Sequence, residues 1–192
     1  MSVTTIGRNE ALNGIVIDQI SLHSGFPGEI GANELTGGGY ARVSATFNTS
    51  SGGVRNLSGP ANFTVGAGHT VRWVVGWGAG QPKIYSPNGG SPREFQVGLG
   101  GDTISVPAHG YANNDPVVFY GGTIPGGLTA GTIVYVVNAA TDTFQVSATV
   151  GGAAIDLTSA GGTDCVVSRI TVSAYGGADT HTVNTWGLGG VF

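Results

Sequence analysis

Short runs of strand-type sequence alternate with glycine- and proline-bearing turns through the middle of the chain, and this alternation restricts the fold. Turn residues dominate 109–116 and 126–132, whereas strand-type side chains dominate 134–138 and 143–147. A period of two is typical of a strand with one buried face, and Gly, Pro and Asn favour turns. Turns recur roughly every 8 to 12 residues, as in sandwiches and barrels. The sequence therefore predicts an all-β fold, either a β-sandwich or a barrel-like core.

Strand-type runs extend over most of the chain, and only one short helix is predicted. That helix lies within residues 2–12, and Asn13-Gly14 is its predicted stop. In the run 71–77, the face with Trp73 and Trp77 is expected to lie in a core. The predicted strands are 15–23, 43–47, 62–65, 71–77, 94–97, 103–106, 116–120, 132–137, 142–147, 153–157, 164–174 and 181–186.

Charged side chains are scarce, which excludes one class of partner and favours another. Asp, Glu, Lys and Arg make up 9% of the 192 residues, and the formal net charge is -4. No cluster of Lys and Arg is present, so a nucleic-acid groove has no electrostatic basis. A weakly charged surface suits a protein that is covered by other subunits, and we therefore expect a homo-oligomer.

The N-terminal sequence and the single cysteine indicate folding in a reducing cytoplasm. Residues 1–14 lack the basic start and apolar run of a signal peptide. No run approaches the roughly 18 to 20 apolar residues of a membrane span. Cys165 has no second cysteine with which to form a disulfide, and we expect it to be a small buried apolar side chain.

The residue types that most often carry chemistry do not form a recognisable site. His23, His69, His109 and His181 have no second ligand at metal-binding spacing, and each is predicted to make structural hydrogen bonds. Carboxylates in or beside turns accept backbone hydrogen bonds, although a Ca²⁺ ion among them stays an alternative. These carboxylates belong to Asp102, Asp115, Asp142, Asp156 and Asp164. We therefore predict no catalytic residue, no cofactor, no metal site and no enzymatic activity.

Two further motifs have both a structural and a functional interpretation. The glycines of 76–80 are spaced somewhat like a phosphate loop, but the lysine and the following helix are missing, so a turn is predicted. Aromatic side chains in or near the second half of the chain either fill a core or stack on sugar rings. They are Tyr85, Tyr111, Phe119, Tyr120 and Tyr135.

Several motifs in the first hundred residues occur in the same order in a known family. They are Ser21-Leu22-His23-Ser24, Pro27-Gly28, Gly31-Ala32-Asn33-Glu34, Gly37-Gly38-Gly39-Tyr40-Ala41-Arg42, Ser51-Gly52-Gly53 and the tryptophan-bearing run 71–77. In these motifs the chain resembles the minor tail or tail-fibre-like virion proteins of actinobacteriophages. Residues 175–183 resemble the way in which members of that family end. Phe26 stands where members tend to have an acidic residue.

A second group of motifs resembles a small β module that occurs inside several phage tail proteins. Its motifs are Pro107-Ala108-His109-Gly110, 114–117, 127–131, 135–138, 142–147 and 154–157. The two resemblances imply an insertion, in which 1–100 and 169–192 form a β-sandwich core domain and 101–168 form the inserted module. Insertion at an exposed turn is tolerated because the ends of the host domain need only lie close together.

These resemblances imply a structural protein of a tailed bacteriophage virion. The leading hypothesis is a tail-associated subunit that acts by assembly and surface binding, located in the virion. Its expected partners are other virion proteins and copies of itself, with a trimer as one arrangement. The alternative is a capsid decoration protein on the head exterior. A third and weaker alternative is a protein that binds or degrades envelope polysaccharide, with a host-surface glycan as its ligand.

Overall fold

The computed structural model describes residues 4–189, and its antiparallel strands confirm the predicted all-β class. Residues 2 and 3 of the predicted helix lie outside this range, and helix α1 is Thr5–Gly14. None of the helices among the described residues has the length and apolar character needed to cross a bilayer. In chain order the strands are β1 (Gln19–His23), β2 (Val43–Ser44), β3 (Val54–Asn56), β4 (Ala61–Val65), β5 (Thr70–Val71), β6 (Trp73–Gly78), β7 (Gln81–Pro87), β8 (Gln96–Gly98), β9 (Thr103–Ser105), β10 (Pro116–Tyr120), β11 (Val134–Val137), β12 (Thr143–Ser147), β13 (Val166–Arg169), β14 (Ser173–Ala174), β15 (Asp179–Val183) and β16 (Gly187–Gly189).

Two compact units make up the chain, and one interrupts the sequence of the other. The first unit comprises the described residues of Met1–Ser86 and Val172–Phe192, and the second unit is Pro87–Thr171. From the sequence we expected the insertion to span 101–168. In the structure it begins earlier, at Pro87, and ends later, at Thr171. The reason is that 93–98 pair with strands of the second unit.

The first unit contains a four-stranded sheet and three two-stranded ladders. The sheet has the strand order β2-β1-β6-β7, and the ladders pair β5 with β14, β4 with β15 and β3 with β16. One face of the sheet contributes Ile20, Leu22 and Val74 to an apolar core. The same core includes side chains of β4, β15 and β16, so the sheet and the ladders enclose one apolar layer, as in a β-sandwich.

The opposite face of the β1–β6 pair is also buried. It carries Trp73 and Trp77, which are 1% and 5% exposed. Every residue of β6 is buried, so the alternation in this strand does not separate a core face from a solvent face. The tryptophan face is expected to lie in a core, and it does so because the long loop 24–42 covers it.

The second unit is a closed β-barrel. Its antiparallel strands have the order β13-β10-β11-β12-β9-β8. Arg93 bridges to Val167 of β13 through backbone hydrogen bonds of 2.9 and 3.0 Å, and the same segment continues into β8. The segment 93–98 therefore joins the two outer strands and removes the sheet edges within 87–171, all of which the structure describes.

The barrel interior is filled by apolar side chains, including Phe119, Phe144 and Cys165. Cys165 is 3% exposed, as predicted for a small apolar residue. Loss of hydration raises the pKa of its thiol to about 11, so the thiol stays protonated at neutral pH.

The two ends of the second unit are held side by side. The Thr171 N–H donates to the carbonyl oxygen of Asn88 at 2.8 Å, and Asn88 Nδ2 donates to the carbonyl oxygen of Thr171 at 3.1 Å. The second unit therefore begins and ends at one point, which is the geometry that an insertion into a host domain requires.

Several strand predictions were wrong in extent. The run 164–174 crosses the boundary between the units and is split into β13 and β14. The run 153–157 forms only an isolated bridge between Ala154 and Ser147, and 43–47 shortens to β2. Strands β3, β7 and β16 were not predicted. β3 and β16 have only three residues each, and β7 contains two prolines, which normally argue against a strand.

Removal of residues 88–171, with a short glycine linker joining Pro87 to Val172, is expected to leave the first unit folded. The apolar core of the first unit contains no residue of the second unit. Thermal unfolding followed by circular dichroism should show one cooperative transition.

Removal of 101–168 is the matched control. This deletion leaves Arg93 and β8 without barrel partners, and we expect an aggregation-prone protein. A non-cooperative melt of the chain that lacks 88–171 would contradict the existence of two separable cores.

Candidate functional site

Residues of the motifs in the first hundred residues meet on the tryptophan face of the β1–β6 pair. Ser21 and His23 lie opposite Val75 and Trp73, and residues directly opposite one another in a ladder project from the same face. The loop 24–42 brings further motif residues to this face. We refer to Ser21, His23, Glu34, Arg42 and Trp77 as the His23 cluster.

A chain of three hydrogen bonds runs through the buried part of the cluster. His23 Nδ1 donates to the carbonyl oxygen of Ala32 at 2.6 Å, because a carbonyl oxygen can only accept. His23 Nε2 then accepts from the Ser21 hydroxyl at 2.7 Å. The Ser21 oxygen in turn accepts from Trp77 Nε1 at 2.6 Å. The loop, β1 and β6 are thereby joined through one neutral imidazole.

An ion pair covers the outer side of Trp77. Arg42 donates to the two carboxylate oxygens of Glu34 at 2.9 and 2.7 Å, and its guanidinium carbon lies 3.5 Å from the centroid of the Trp77 ring. The hydrogen bond to Glu34 raises the pKa of Arg42 further. The Tyr40 hydroxyl accepts from the Leu22 N–H at 2.9 Å and donates to Glu34 at 3.2 Å. Burial raises the pKa of Tyr40, so it stays a neutral donor.

The loop approaches the indole so closely that only glycine fits at position 31. A Cβ atom on Gly31 would lie 2.4 Å from the Trp77 ring, and the φ angle of +68° favours glycine independently. At position 26, where family members tend to have a carboxylate, Phe26 instead packs edge-on against Trp73 and Tyr85, with ring centroids 5.1 and 5.5 Å apart. Both positions therefore serve packing.

The Ser21–His23 pair has the hydrogen bond of a nucleophile and its base, but it lacks access to solvent. Both residues are 0% exposed. The Ser21 oxygen also accepts a hydrogen bond from Trp77 Nε1. A general base needs a substrate within hydrogen-bond reach, and this geometry provides no path for one. We therefore assign the pair a structural role.

The other three histidines also make hydrogen bonds, as the sequence predicted. The bonds join His69 to Gly66 and Thr36, His109 to Tyr111 and Thr143, and His181 to Tyr175. Two of these histidines, His109 and His181, are 6% exposed. Each is held by its own strand or loop, and the structure does not bring the four histidines together.

The predicted turn carboxylates accept backbone hydrogen bonds at three positions. Asp102, Asp115 and Asp142 accept from Leu157, Ala112 and Ala108 at 2.8, 2.8 and 2.7 Å. Within residues 4–189, no three His, Cys, Asp or Glu side chains are grouped so that they could hold a metal ion. These contacts fix loops of the barrel, as Asp commonly does in turns.

The glycine motif 76–80 forms the end of β6 and the turn into β7, as predicted. Ala79 and Gly80 both have positive φ angles, +53° and +75°, which is the pattern of a two-residue hairpin turn.

Two aromatic residues considered for sugar stacking are unsuited to it. Phe119 and Tyr120 are 1% and 5% exposed, and Phe119 belongs to the apolar interior of the barrel. Tyr111 packs against Phe144 at 5.4 Å between ring centroids, and Tyr135 is half-buried.

Sequence reasoning missed the role of Ser21, which the motif comparison treated only as the residue before Leu-His. The available signal was its spacing, because residues two apart on a strand share a face. Ser21 and His23 could therefore have been expected to meet. The contacts to Trp77 and Ala32 come from distant parts of the chain and left no such signal.

Comparisons with known proteins returned no match: no protein-family model, curated protein or solved structure is similar to this chain at the level of significance required.

Gly31→Ala is expected to destabilise the first unit by about 3 kcal/mol, because the new methyl group meets the Trp77 ring in addition to the strain of a positive φ. Gly37→Ala is the matched control. Gly37 also has a positive φ, +77°, but nothing lies within 4 Å of its Cβ position, so a loss of about 1 kcal/mol is expected. Urea unfolding measures both losses, and equal losses would contradict the close approach of loop and indole.

Stability is expected to fall as the pH is lowered from about 7 to about 5. Burial lowers the pKa of His23 and of His181 below the ordinary 6.5, so the unfolded chain binds protons more tightly than the folded chain. The contribution is complete above pH 6.5 and is lost as the pH falls through the lowered values.

Thermal midpoints across this pH range test the linkage. His181→Gln removes one of the two titrating groups, so the thermal midpoint of this variant should fall less between pH 7 and pH 5. A midpoint of the parent protein that stays constant or rises towards pH 5 would contradict the prediction.

Proposed function

We propose that this chain is a structural protein of a tailed bacteriophage virion, most simply a tail-associated subunit. In this proposal it acts by assembly and surface binding, together with other virion proteins and copies of itself. The chemistry of the His23 cluster is used to fix a loop over a sheet. The proposal therefore assigns function to the outer surfaces of the two units.

The observation that carries the proposal is the convergence of the motif residues. The Leu-His pair, the Gly-Ala-Asn-Glu loop, the Tyr-Ala-Arg segment and the tryptophan strand lie far apart in sequence, yet His23, Ala32, Arg42 and Trp77 contact one another directly or through Ser21. Motifs that share one structural network are those that a common fold would require, which supports the resemblance to virion proteins.

The surface supports binding rather than repulsion between subunits. Only 9% of the residues are charged, and Ile6, Val16 and Ile30 are at least 66% exposed. Covering apolar side chains releases free energy, and few charges have to lose their hydration when subunits meet. Such a surface suits a permanent position among other subunits.

Quantitative mass spectrometry of purified particles of the encoding phage tests the proposal. The chain should copurify with virions through a density gradient, at a handful to a few tens of copies per particle. Copies in the hundreds would favour a capsid decoration protein instead. Absence from particles would contradict both, and cleavage of envelope polysaccharide by the purified protein would favour the third hypothesis.

A further inference from the structure

Both basic residues of the second unit lie at one end of its barrel. Between Pro87 and Thr171 the chain has two basic residues, Arg93 and Arg169, and six acidic residues, a formal charge of -4. Arg93 donates to the carbonyl oxygen of Pro107 at 2.7 Å, and Arg169 donates to that of Gly110 at 3.1 Å. The loop 107–115 therefore contacts both guanidiniums, and we refer to this end as the barrel mouth.

The two arginines project from the inner face of the barrel wall. Arg93 lies opposite Val167, and Arg169 lies opposite Val117. Residues opposite one another in an antiparallel pair share a face, and both valines are fully buried in the barrel core. The guanidiniums consequently sit where the apolar interior ends, which is a common position for ligand sites in barrels.

Tyr111 lies at the mouth and has an unpaired hydroxyl. Its ring packs against His109 and Phe144, and the guanidinium carbon of Arg169 lies 5.4 Å from the ring centroid. The hydroxyl is buried and has no hydrogen-bond partner among the described residues. Burial raises the pKa of Tyr111, while the nearby charges of Arg93 and Arg169 oppose this rise. A buried hydroxyl without a partner is unfavourable, so the mouth carries one unsatisfied donor beside the two cations.

The two cations at the mouth are only partly neutralised. Arg169 forms an ion pair with Asp115 and is 45% exposed. In the part of the chain that the structure describes, no carboxylate forms an ion pair with Arg93, whose side chain donates to the neutral carbonyl of Pro107. Since a guanidinium has five N–H donors, donors remain for a further acceptor.

We propose that the barrel mouth binds an anionic group, a carboxylate or a phosphate, between Arg93 and Arg169. The two guanidiniums supply paired N–H donors that match the oxygens of either group. The surrounding charge of -4 limits the site to a ligand with one compact anionic group. This inference goes beyond the structural role in a virion and does not depend on it.

Titration of the full-length protein with D-glucuronate, with inorganic phosphate and with neutral D-glucose tests the site. Isothermal titration calorimetry or amide chemical shifts should show saturable binding of at least one anion, weakened by added sodium chloride, and none of glucose. Binding of glucuronate alone identifies the carboxylate of an acidic sugar, and binding of phosphate alone identifies a phosphate group. No saturable binding of either anion overturns the proposal.

Substitutions place the site at the mouth. Arg93→Gln and Arg169→Gln should each weaken binding by about tenfold, because a charged donor pair is lost. Arg72→Gln is the matched control, since Arg72 lies in the first unit, where it donates to the Ser24 carbonyl, and it should leave the affinity unchanged.

Folding of each variant is checked by its thermal transition. Where Arg93→Gln does not fold, Arg93→Lys replaces it, because lysine keeps the charge but loses the paired donors. An affinity for the anion equal to that of the parent protein in the folded Arg93 variant overturns the proposal.

Discussion

One buried imidazole, with its proton fixed on Nδ1, is the constraint on which the first unit depends. The carbonyl of Ala32 requires a donor, so the other nitrogen of His23 is left to accept from Ser21. Through Ser21 the same arrangement satisfies the Trp77 indole. Since Ser21 and His23 are fully buried, water cannot replace a lost partner, and breaking one bond leaves a polar group unpaired at a cost of about 1–3 kcal/mol.

A loop is an unusual cover for a sheet, because its backbone groups lack the regular partners of a strand or helix. The loop 24–42 meets this requirement with local bonds. Ser24 donates to the carbonyl of Asn33, and Asn33 Nδ2 donates to the carbonyl of Phe26 at 2.8 Å. Gly31 of this loop packs directly against the Trp77 ring, and the Arg42–Glu34 ion pair covers the ring from the outside. Together they exclude solvent from the indole. The described residues form two ion pairs, and one of them, Arg42–Glu34, lies where this loop meets solvent above Trp77.

Local pattern located most of the strands, but it did not indicate what covers each face of a strand. β4 alternates strictly between buried and exposed residues, and the prediction 62–65 falls within one residue of it. β6 is buried on both faces, so the alternation of its side chains could not predict that a loop covers one of them. Arg93 closes the barrel by pairing with Val167, and His23 bonds to Ala32 of the covering loop. Both contacts join residues that are distant in sequence, and the periodicity of a short run of residues cannot predict them. The order of the motifs did not indicate these contacts.

If the motif residues serve structure, then function belongs to surfaces, and this conclusion rests on the state of His23. Long-range ¹H–¹⁵N correlation spectroscopy of the imidazole reads that state directly. The predicted result is a neutral ring at neutral pH, protonated at Nδ1 and unprotonated at Nε2, whose pKa lies below the ordinary histidine value of 6.5. A ring protonated at Nε2, or one that titrates with an ordinary pKa, would contradict the account.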